Sequence, residues 1–255
     1  MLRPRIIPCL LVKNGGLVKT VNFANPKYVG DPINAVRIFN EKEVDELMVL
    51  DIDATVKGKS PDFNMIKNLA AECRMPLCYG GGVKTAEQVK RIIELGAEKV
   101  ALSSAAVECP NVVAEAAKQV GNQSIVVVMD IRKSFKDGYE VYTHRGKNRT
   151  GRQPVELAKE MEGLGAGEII VNSIDNDGTL KGYDRALIKK VREAVGVPVT
   201  VLGGAGSLRD MSEVICKCGV SGASAGSLFV FKGKYRAVLI SYPTRMEKDA
   251  LLSQI

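Results

Sequence analysis

Two sets of residues in this chain of 255 could do chemistry, and the first is a single carboxyl. Asp130 directly follows the apolar run of residues 125–129, which is typical of a strand buried on both faces. An aspartate at the C-terminal end of such a strand is well placed to give or take a proton. The sequence therefore predicts that Asp130 is a general acid or base.

The second set combines glycines with serines at positions that follow strands. Glycine lets the backbone approach a ligand closely, and N–H groups at the start of a helix bind phosphate. The predicted phosphate-binding residues are Gly81, Gly82, Ser103 and Ser104 in one group, and Asp177, Gly178, Gly204, Gly206, Gly226 and Ser227 in the other. Two groups imply a ligand that carries a phosphate at each end. The alternative is that these glycines only serve tight turns.

An internal repeat relates the two groups. Gly81 and Gly204 are 123 positions apart, and Ser104 and Ser227 are separated by the same distance in the chain. The period is half the chain, so the repeats cover approximately residues 1–122 and 123–255. The repeat partner of Asp130 is Leu11, which cannot transfer a proton. If both halves once carried an aspartate here, this chain has lost one of the pair.

The elements that position these residues are short strands alternating with helices. The predicted strands are Arg5–Lys13, Glu46–Asp51, Leu77–Tyr79, Lys99–Leu102, Ser124–Ile131, Glu168–Asn172, Val197–Val201 and Gly222–Ala225. Helical patterns such as Asp62–Cys73 and Leu208–Cys216 separate them. Eight such units predict a single α/β domain over residues 1–255, a (β/α)8 TIM barrel made of two pseudo-symmetric half-barrels.

Two segments lie outside this alternation. Asn14–Gly30 is predicted as a long loop that carries Lys19 and closes over a substrate, with glycines as hinges. Residues 135–142 predict a hairpin over the barrel rim, with Asp137-Gly138 at its tight turn.

Composition limits the possible classes of function. The net charge is +7, but the basic residues are scattered and Trp is absent, so nucleic-acid binding is not expected. A basic surplus suits an anionic small substrate or an acidic protein partner. No apolar stretch approaches the roughly 18 residues of a membrane span, and the run Ile6–Val12 is too short for a signal peptide. We therefore expect a cytoplasmic protein without membrane contact.

The cysteines and the histidine do not predict a metal site. The chain has six cysteines without paired C-x2-C spacing, and one histidine, His144. We expect reduced thiols, no metal and no cofactor. Cys9 is interpreted as core packing, and His144 as a surface residue on the inserted hairpin.

The whole chain resembles the cyclase subunit of imidazole glycerol phosphate synthase. The resemblance rests on segments such as Arg5-Ile6-Ile7-Pro8-Cys9-Leu10, Tyr79-Gly80-Gly81-Gly82-Val83 and, most specifically, residues 173–179 followed by Gly182-Tyr183-Asp184. In that family the barrel closes an imidazole ring. It uses ammonia from a glutaminase subunit that docks at the N-terminal face of the barrel, and the ammonia travels through the barrel core.

The resemblance also implies roles for individual residues. The family's ammonia entrance gate of four charged residues matches Arg5, Glu46, Lys99 and Glu168, all with the expected charges. A plain salt-bridged plug is the alternative for these four. Lys19, on the predicted substrate loop, is retained from the family. The family's two catalytic aspartates fall on Leu11 and Asp130, so only the second is an aspartate here.

An intact gate with a broken catalytic pair is similar to a paralogous branch of the family. There the barrel and its glutaminase supply ammonia to a third enzyme, which amidates a nucleotide sugar in lipopolysaccharide synthesis. This is the favoured expectation. A genuine cyclase of histidine biosynthesis is an alternative that explains the retained phosphate-binding groups. A noncatalytic subunit that senses a bisphosphate and regulates a partner is another.

Overall fold

A computed structural model describes residues 3–134 and 138–252 as alternating strands and helices. The strands are β1 (Arg5–Lys13), β2 (Gly16–Val21), β3 (Ala24–Gly30), β4 (Leu47–Asp51), β5 (Leu77–Gly80), β6 (Lys99–Leu102), β7 (Ile125–Ser134), β8 (Gly138–Thr143), β9 (Asn148–Arg149), β10 (Glu168–Ser173), β11 (Val199–Leu202), β12 (Gly222–Ala225), β13 (Phe231–Lys232) and β14 (Ala237–Val238). The helices are α1 (Pro32–Glu41), α2 (Phe63–Glu72), α3 (Ala86–Glu94), α4 (Ser104–Glu108), α5 (Asn111–Val120), α6 (Pro154–Gly163), α7 (Arg185–Arg192), α8 (Leu208–Cys218), α9 (Ser227–Val230) and α10 (Arg245–Leu252).

Eight of the strands form a closed parallel barrel. Along the sheet the order is β1, β4, β5, β6, β7, β10, β11 and β12, and β12 pairs with β1 again. The two halves join where β6 pairs with β7, from Val100 opposite Ile125 to Leu102 opposite Val127, and where β1 pairs with β12, from Arg5 opposite Gly222 to Pro8 opposite Ala225. The predicted (β/α)8 TIM barrel is confirmed.

The barrel strands separate two apolar cores because alternate side chains point to opposite faces. The inner core consists of Ile7, Cys9, Met48, Cys78, Ala101, Val126, Val128, Ile170 and Leu202, with Leu11 and Leu50 packed against it. The larger outer core fills the layer between strands and helices. Each fully buried Ile or Leu contributes about 1.5–3 kcal/mol, so both cores hold the barrel strands in register.

Helix starts carry the capping residues that fix where each helix begins. Thr85 and Gln88 form a capping box at α3, and Ser207 and Asp210 form one at α8. Asp31 caps α1, where Pro32 takes the first helical position. Within residues 3–134 and 138–252, no helix is both long and apolar enough to span a membrane.

The prediction of a loop at Asn14–Gly30 was wrong. β2 continues from β1 as an antiparallel hairpin arm, with Leu11 opposite Val18, and β3 pairs with β2 in turn. Left-handed backbone at Asn14 and Gly15 makes the tight turn between β1 and β2. These residues therefore serve a hairpin turn and not a loop hinge.

A corresponding hairpin follows the fifth barrel strand. β7 pairs antiparallel with β8, from Asp130 opposite Tyr142 to Ser134 opposite Gly138. The second strand of the predicted hairpin is therefore present as β8, whereas residues 135–137 of the prediction lie outside the described residues. Both hairpins extend the barrel at the same end, where the C-terminal ends of the parallel strands form the barrel mouth.

Candidate active site

A pocket in the barrel mouth contains most of the residues that the sequence singled out. Its lining includes both positions of the predicted carboxyl pair, Leu11 and Asp130, and also Lys19. The remaining predicted residues in the lining are Gly81, Gly82, Ser103, Ser104, Asp177, Gly226 and Ser227. Acid–base, cationic and phosphate-binding candidates therefore meet in one cavity, as a single substrate site requires.

Asp130 has the surroundings of a proton-transfer group. Its Oδ1 accepts a hydrogen bond of 2.8 Å from Asn172 Nδ2, and its Oδ2 accepts a longer one of 3.4 Å from the Ser103 hydroxyl. Removal of the carboxyl from water raises the pKa of Asp130 to about 7, and the negative charge of Asp177 acts in the same direction. A group that titrates near neutral pH can serve as either acid or base.

Leu11 occupies the equivalent place on β1. It is half-buried, lines the pocket and packs against the inner core. Cys9 lies two residues below it on the same strand face and also lines the pocket, so the expectation that it only packs in the core was too narrow. Burial raises the pKa of the Cys9 thiol to about 11, which keeps it protonated at neutral pH. Cys9 therefore does not replace the missing carboxyl as a base.

Lys19 enters the pocket from β2 and is only 5% exposed. Its ammonium donates to the backbone oxygen of Cys9, and burial lowers its pKa. A side chain built at Gly226 would overlap Lys19 Nζ, so the lysine lies directly against the second phosphate-binding group. A cation at that position complements a phosphate charge.

Asp177, predicted to bind phosphate, instead forms hydrogen bonds with the first hairpin, β2–β3. Its Oδ2 accepts a 2.9 Å hydrogen bond from the Thr20 hydroxyl, and burial raises its pKa. Its main-chain oxygen also accepts from Asn22 N at 2.9 Å. Asp177 therefore fixes the β2–β3 hairpin over the pocket.

The first phosphate-binding group surrounds the start of α4. Gly81 and Gly82 have φ angles of 115° and 73°, which only glycine adopts without strain. Ser103 precedes α4 and Ser104 begins it. The Ser104 hydroxyl accepts from the His144 backbone N–H at 3.0 Å, so the second hairpin closes on this group.

The second group is only partly in the pocket. Gly226 and Ser227 line it at the start of α9, whereas Gly178, Gly204 and Gly206 do not. Side chains at these three would overlap the backbone oxygens of Thr20, Gly182 and Leu180 respectively. Close backbone packing therefore explains why these three positions are glycine, and their part in phosphate binding stays a prediction.

Comparison with known proteins identifies the family. A family model described as histidine biosynthesis protein matches residues 5–236. The chain belongs to this family. It is 56% identical over 252 residues to a Leptospira interrogans protein provisionally named imidazole glycerol phosphate synthase subunit HisF, which covers 98% of this chain and 99% of that protein. It is 53% identical to a Vibrio vulnificus protein provisionally named as subunit hisF3 (99% and 97% covered). It is 40% identical to the subunit HisF of Alkaliphilus metalliredigens (90% and 91% covered).

In this member of the family, four charged side chains form a ring at the opposite end of the barrel. Arg5 pairs with Glu46 and, at 2.7 Å, with Glu168, while Lys99 lies 2.8 Å from each glutamate. The glutamates are 3% and 4% exposed. Burial alone would raise the pKa of Glu168, but Arg5 and Lys99 outweigh it and lower that pKa. We call these four residues the charged ring.

Sequence reasoning missed several pocket residues of this family member. Arg145, in the turn between β8 and β9, reaches within 3.6 Å of Asp53 and donates to the Phe23 backbone oxygen at 3.0 Å. It bridges the two hairpins across the pocket.

Asn172 was missed too, although its inward position could be found by counting alternate residues from Glu168 along β10. His144 is half-buried, with Nδ1 3.2 Å from Glu108, and does not line the pocket.

Proposed function

We propose that this chain is the cyclase-like barrel of a glutamine-dependent amidotransferase. In this proposal the barrel receives ammonia from a glutaminase subunit and passes it on for amidation of a nucleotide sugar in surface-polysaccharide synthesis. One observation carries it: the pocket holds Asp130 on one strand and Leu11 at the equivalent position of the other half. A ring closure that needs proton transfer on both sides of its substrate requires two acid–base groups, and this pocket has no carboxyl at position 11 to serve as the second.

The charged ring supports the ammonia route. It closes the N-terminal end of the barrel, and apolar side chains fill the interior above it. Uncharged ammonia crosses an apolar interior far more easily than a charged ion, which would lose its hydration. A glutaminase docked at the N-terminal face would release ammonia directly at the ring. Relatives named as HisF subunits support such an assembly. The exposed free thiol of Cys109 fits a reducing compartment such as the cytoplasm.

A genuine imidazole glycerol phosphate synthase cyclase is the second candidate. The specific observation that favours it is the first phosphate-binding group together with Gly226, Ser227 and Lys19 around a carboxyl whose pKa is about 7. A barrel that only conducts ammonia has no need of two anion sites. In this reading Asp130 would perform every proton transfer alone.

The deciding experiment gives the purified chain the family's bisphosphate ribonucleotide substrate with ammonium chloride at alkaline pH. Free ammonia bypasses the glutaminase, so the assay isolates the ring closure. We expect no turnover from the native chain and measurable turnover from the Leu11→Asp variant, with Leu11→Asn as the size-matched control. Turnover of about 1 per second by the native chain would instead establish the cyclase.

A second experiment tests the nitrogen transfer itself. The chain is combined with its glutaminase, a sugar-amidating enzyme and glutamine labelled with nitrogen-15 in its amide. We expect label in the nucleotide sugar only when the barrel is present and its charged ring is intact. Tight bisphosphate binding with neither ring closure nor nitrogen transfer would favour a regulatory subunit instead.

A further inference from the structure

The first polar groups above the inner core belong to three neighbouring strands. On β10 the inward residues are Glu168 of the charged ring, then Ile170, then Asn172. At about 3.3 Å per residue, Asn172 lies roughly 13 Å from Glu168 along the strand. Val128 lies below Asp130 on β7 in the same way, and Ala101 lies below Ser103 on β6. We call Ser103, Asp130 and Asn172 the exit cluster.

The exit cluster contains an unused hydrogen-bond acceptor. Asn172 is 4% exposed, and its Nδ2 donates to Asp130 at 2.8 Å. Its Oδ1 is buried and has no hydrogen-bond partner within residues 3–134 and 138–252. A buried amide oxygen without a donor costs about 1–3 kcal/mol, so this atom favours a ligand that brings an N–H or O–H group.

Space and charge at the cluster favour a small cation. Gly203, directly after β11, leaves no side chain beside the amide, and a Cβ there would lie 3.1 Å from Asn172 Oδ1 but only 2.5 Å from the Ser173 backbone oxygen, so the space beside the amide admits only a small ligand. The titratable groups that face Asp130 are Asp177 from the loop after β10 and Cys9 from β1, and Lys19 from β2 faces both Asp177 and Cys9. With both aspartates ionised and Cys9 protonated, Lys19 balances only one of the two negative charges.

We propose that Asn172 Oδ1 and the Asp130 carboxylate bind ammonium at the exit from the barrel core. Ammonium has four donors and no acceptor, so it suits an amide oxygen beside a carboxylate. This inference rests on the proposed ammonia route. It adds a resting place at which ammonia meets the acceptor, and it assigns Asn172 to ligand binding in addition to positioning Asp130. Ammonia that arrives from the core takes the proton of the Asp130 carboxyl to become ammonium, and it returns this proton to the carboxylate when it leaves as ammonia for the acceptor.

The test follows the Asp130 carboxyl by carbon-13 NMR in the chain alone, with the Asp130→Asn variant used to assign the resonance. The pH is titrated in ammonium chloride and in sodium chloride of equal ionic strength. A cation that binds only the ionised carboxyl lowers its pKa. At ammonium concentrations ten times the dissociation constant, the pKa is expected to fall by about one unit relative to sodium. If the pKa of Asp130 in the native chain is equal in the two salts, this measurement alone overturns the proposal.

Two variants separate binding from positioning. Asn172→Leu removes the free acceptor and is expected to abolish the difference between the salts. Ser103→Ala removes the other hydrogen bond to the same carboxyl and is expected to keep that difference. If Asn172 only positions Asp130, both variants move the pKa in sodium chloride and both retain the ammonium effect, which would overturn the inference.

Two further outcomes have a defined meaning. An equal effect of potassium chloride would identify a general monovalent cation site and would contradict the role of N–H donors. The proposed function fails independently, since it requires nitrogen transfer from glutamine in the full complex. If ammonium lowers the pKa but no nitrogen is transferred, the ammonium site is supported and the proposed function is wrong. If nitrogen is transferred but ammonium does not change the pKa, the proposed function is supported and the ammonium site is wrong.

Discussion

Leu11 and Asp130 hold equivalent positions in the two halves of the barrel. Each is the first residue of its barrel strand to pair with the antiparallel arm that follows, Leu11 opposite Val18 and Asp130 opposite Tyr142. The equivalence is therefore one of backbone register and not only of sequence spacing. A carboxyl introduced at position 11 would face the same pocket as Asp130.

The first prediction concerns that introduced carboxyl. In Leu11→Asp a second negative charge enters the pocket, so the pKa of Asp130 should rise above its value of about 7. In Leu11→Asn, which has the same shape without the charge, the pKa should stay close to the native value. Carbon-13 NMR titration of the Asp130 carboxyl measures both. Equal values in the two variants would mean that position 11 lies too far from Asp130 to form a catalytic pair.

The second prediction concerns the pH dependence of stability. The folded pKa of Asp130 is raised above the unfolded value of a carboxyl, so its stabilising contribution is complete at low pH and is lost as pH rises through about 7. Asp130→Asn mimics the protonated form. At about 1.4 kcal/mol per pKa unit, reduced because the residue keeps some contact with solvent, the variant should be about 2 kcal/mol more stable than the native chain at pH 8.

Urea unfolding at two pH values measures this difference. The gain should shrink strongly at pH 5, where Asp130 is already protonated in the folded protein. An equal gain at pH 5 and pH 8 would show that the amide stabilises by packing or hydrogen bonding instead of by removing a charge.

Much of this arrangement could be predicted from the sequence, since it depends on alternation and local pattern. The two-sided burial of residues 125–129 placed Asp130 at a strand end. The family resemblance implied the charged ring, whose members lie where the predicted strands begin. The hairpin arm β2–β3 could not be found in that way. Residues 24–28 of β3 are all exposed and lack the alternation of apolar and polar residues of a half-buried strand, because this strand is paired on one side only and faces solvent. Its pairing depends on tertiary contacts such as Thr20 with Asp177, which no local pattern encodes.

The third prediction concerns the charged ring. Glu168→Gln keeps the shape of the side chain but leaves Arg5 and Lys99 with a single glutamate. Removing one partner of a buried ion pair costs about 3–5 kcal/mol, and the partial exposure of both cations should reduce this to about 2 kcal/mol in urea unfolding. The matched control is Glu213→Gln, which breaks a surface ion-pair cluster with Arg185, Arg209 and Lys217. A loss as large in the control would mean that the ring is no more than a surface network.

The last prediction concerns Lys19 and the second phosphate-binding group. Lys19→Met keeps the length of the side chain and removes the charge beside Gly226, so affinity for a bisphosphate ribonucleotide should fall about tenfold or more. Lys27→Met is the control, because Lys27 is the exposed residue opposite Lys19 on β3. Calorimetric titration measures both. Burial lowers the pKa of Lys19, so native binding should also weaken as pH rises through that lowered value, and this pH dependence should vanish in Lys19→Met. Unchanged affinity in Lys19→Met would show that the ammonium serves only its contact with the Cys9 backbone oxygen.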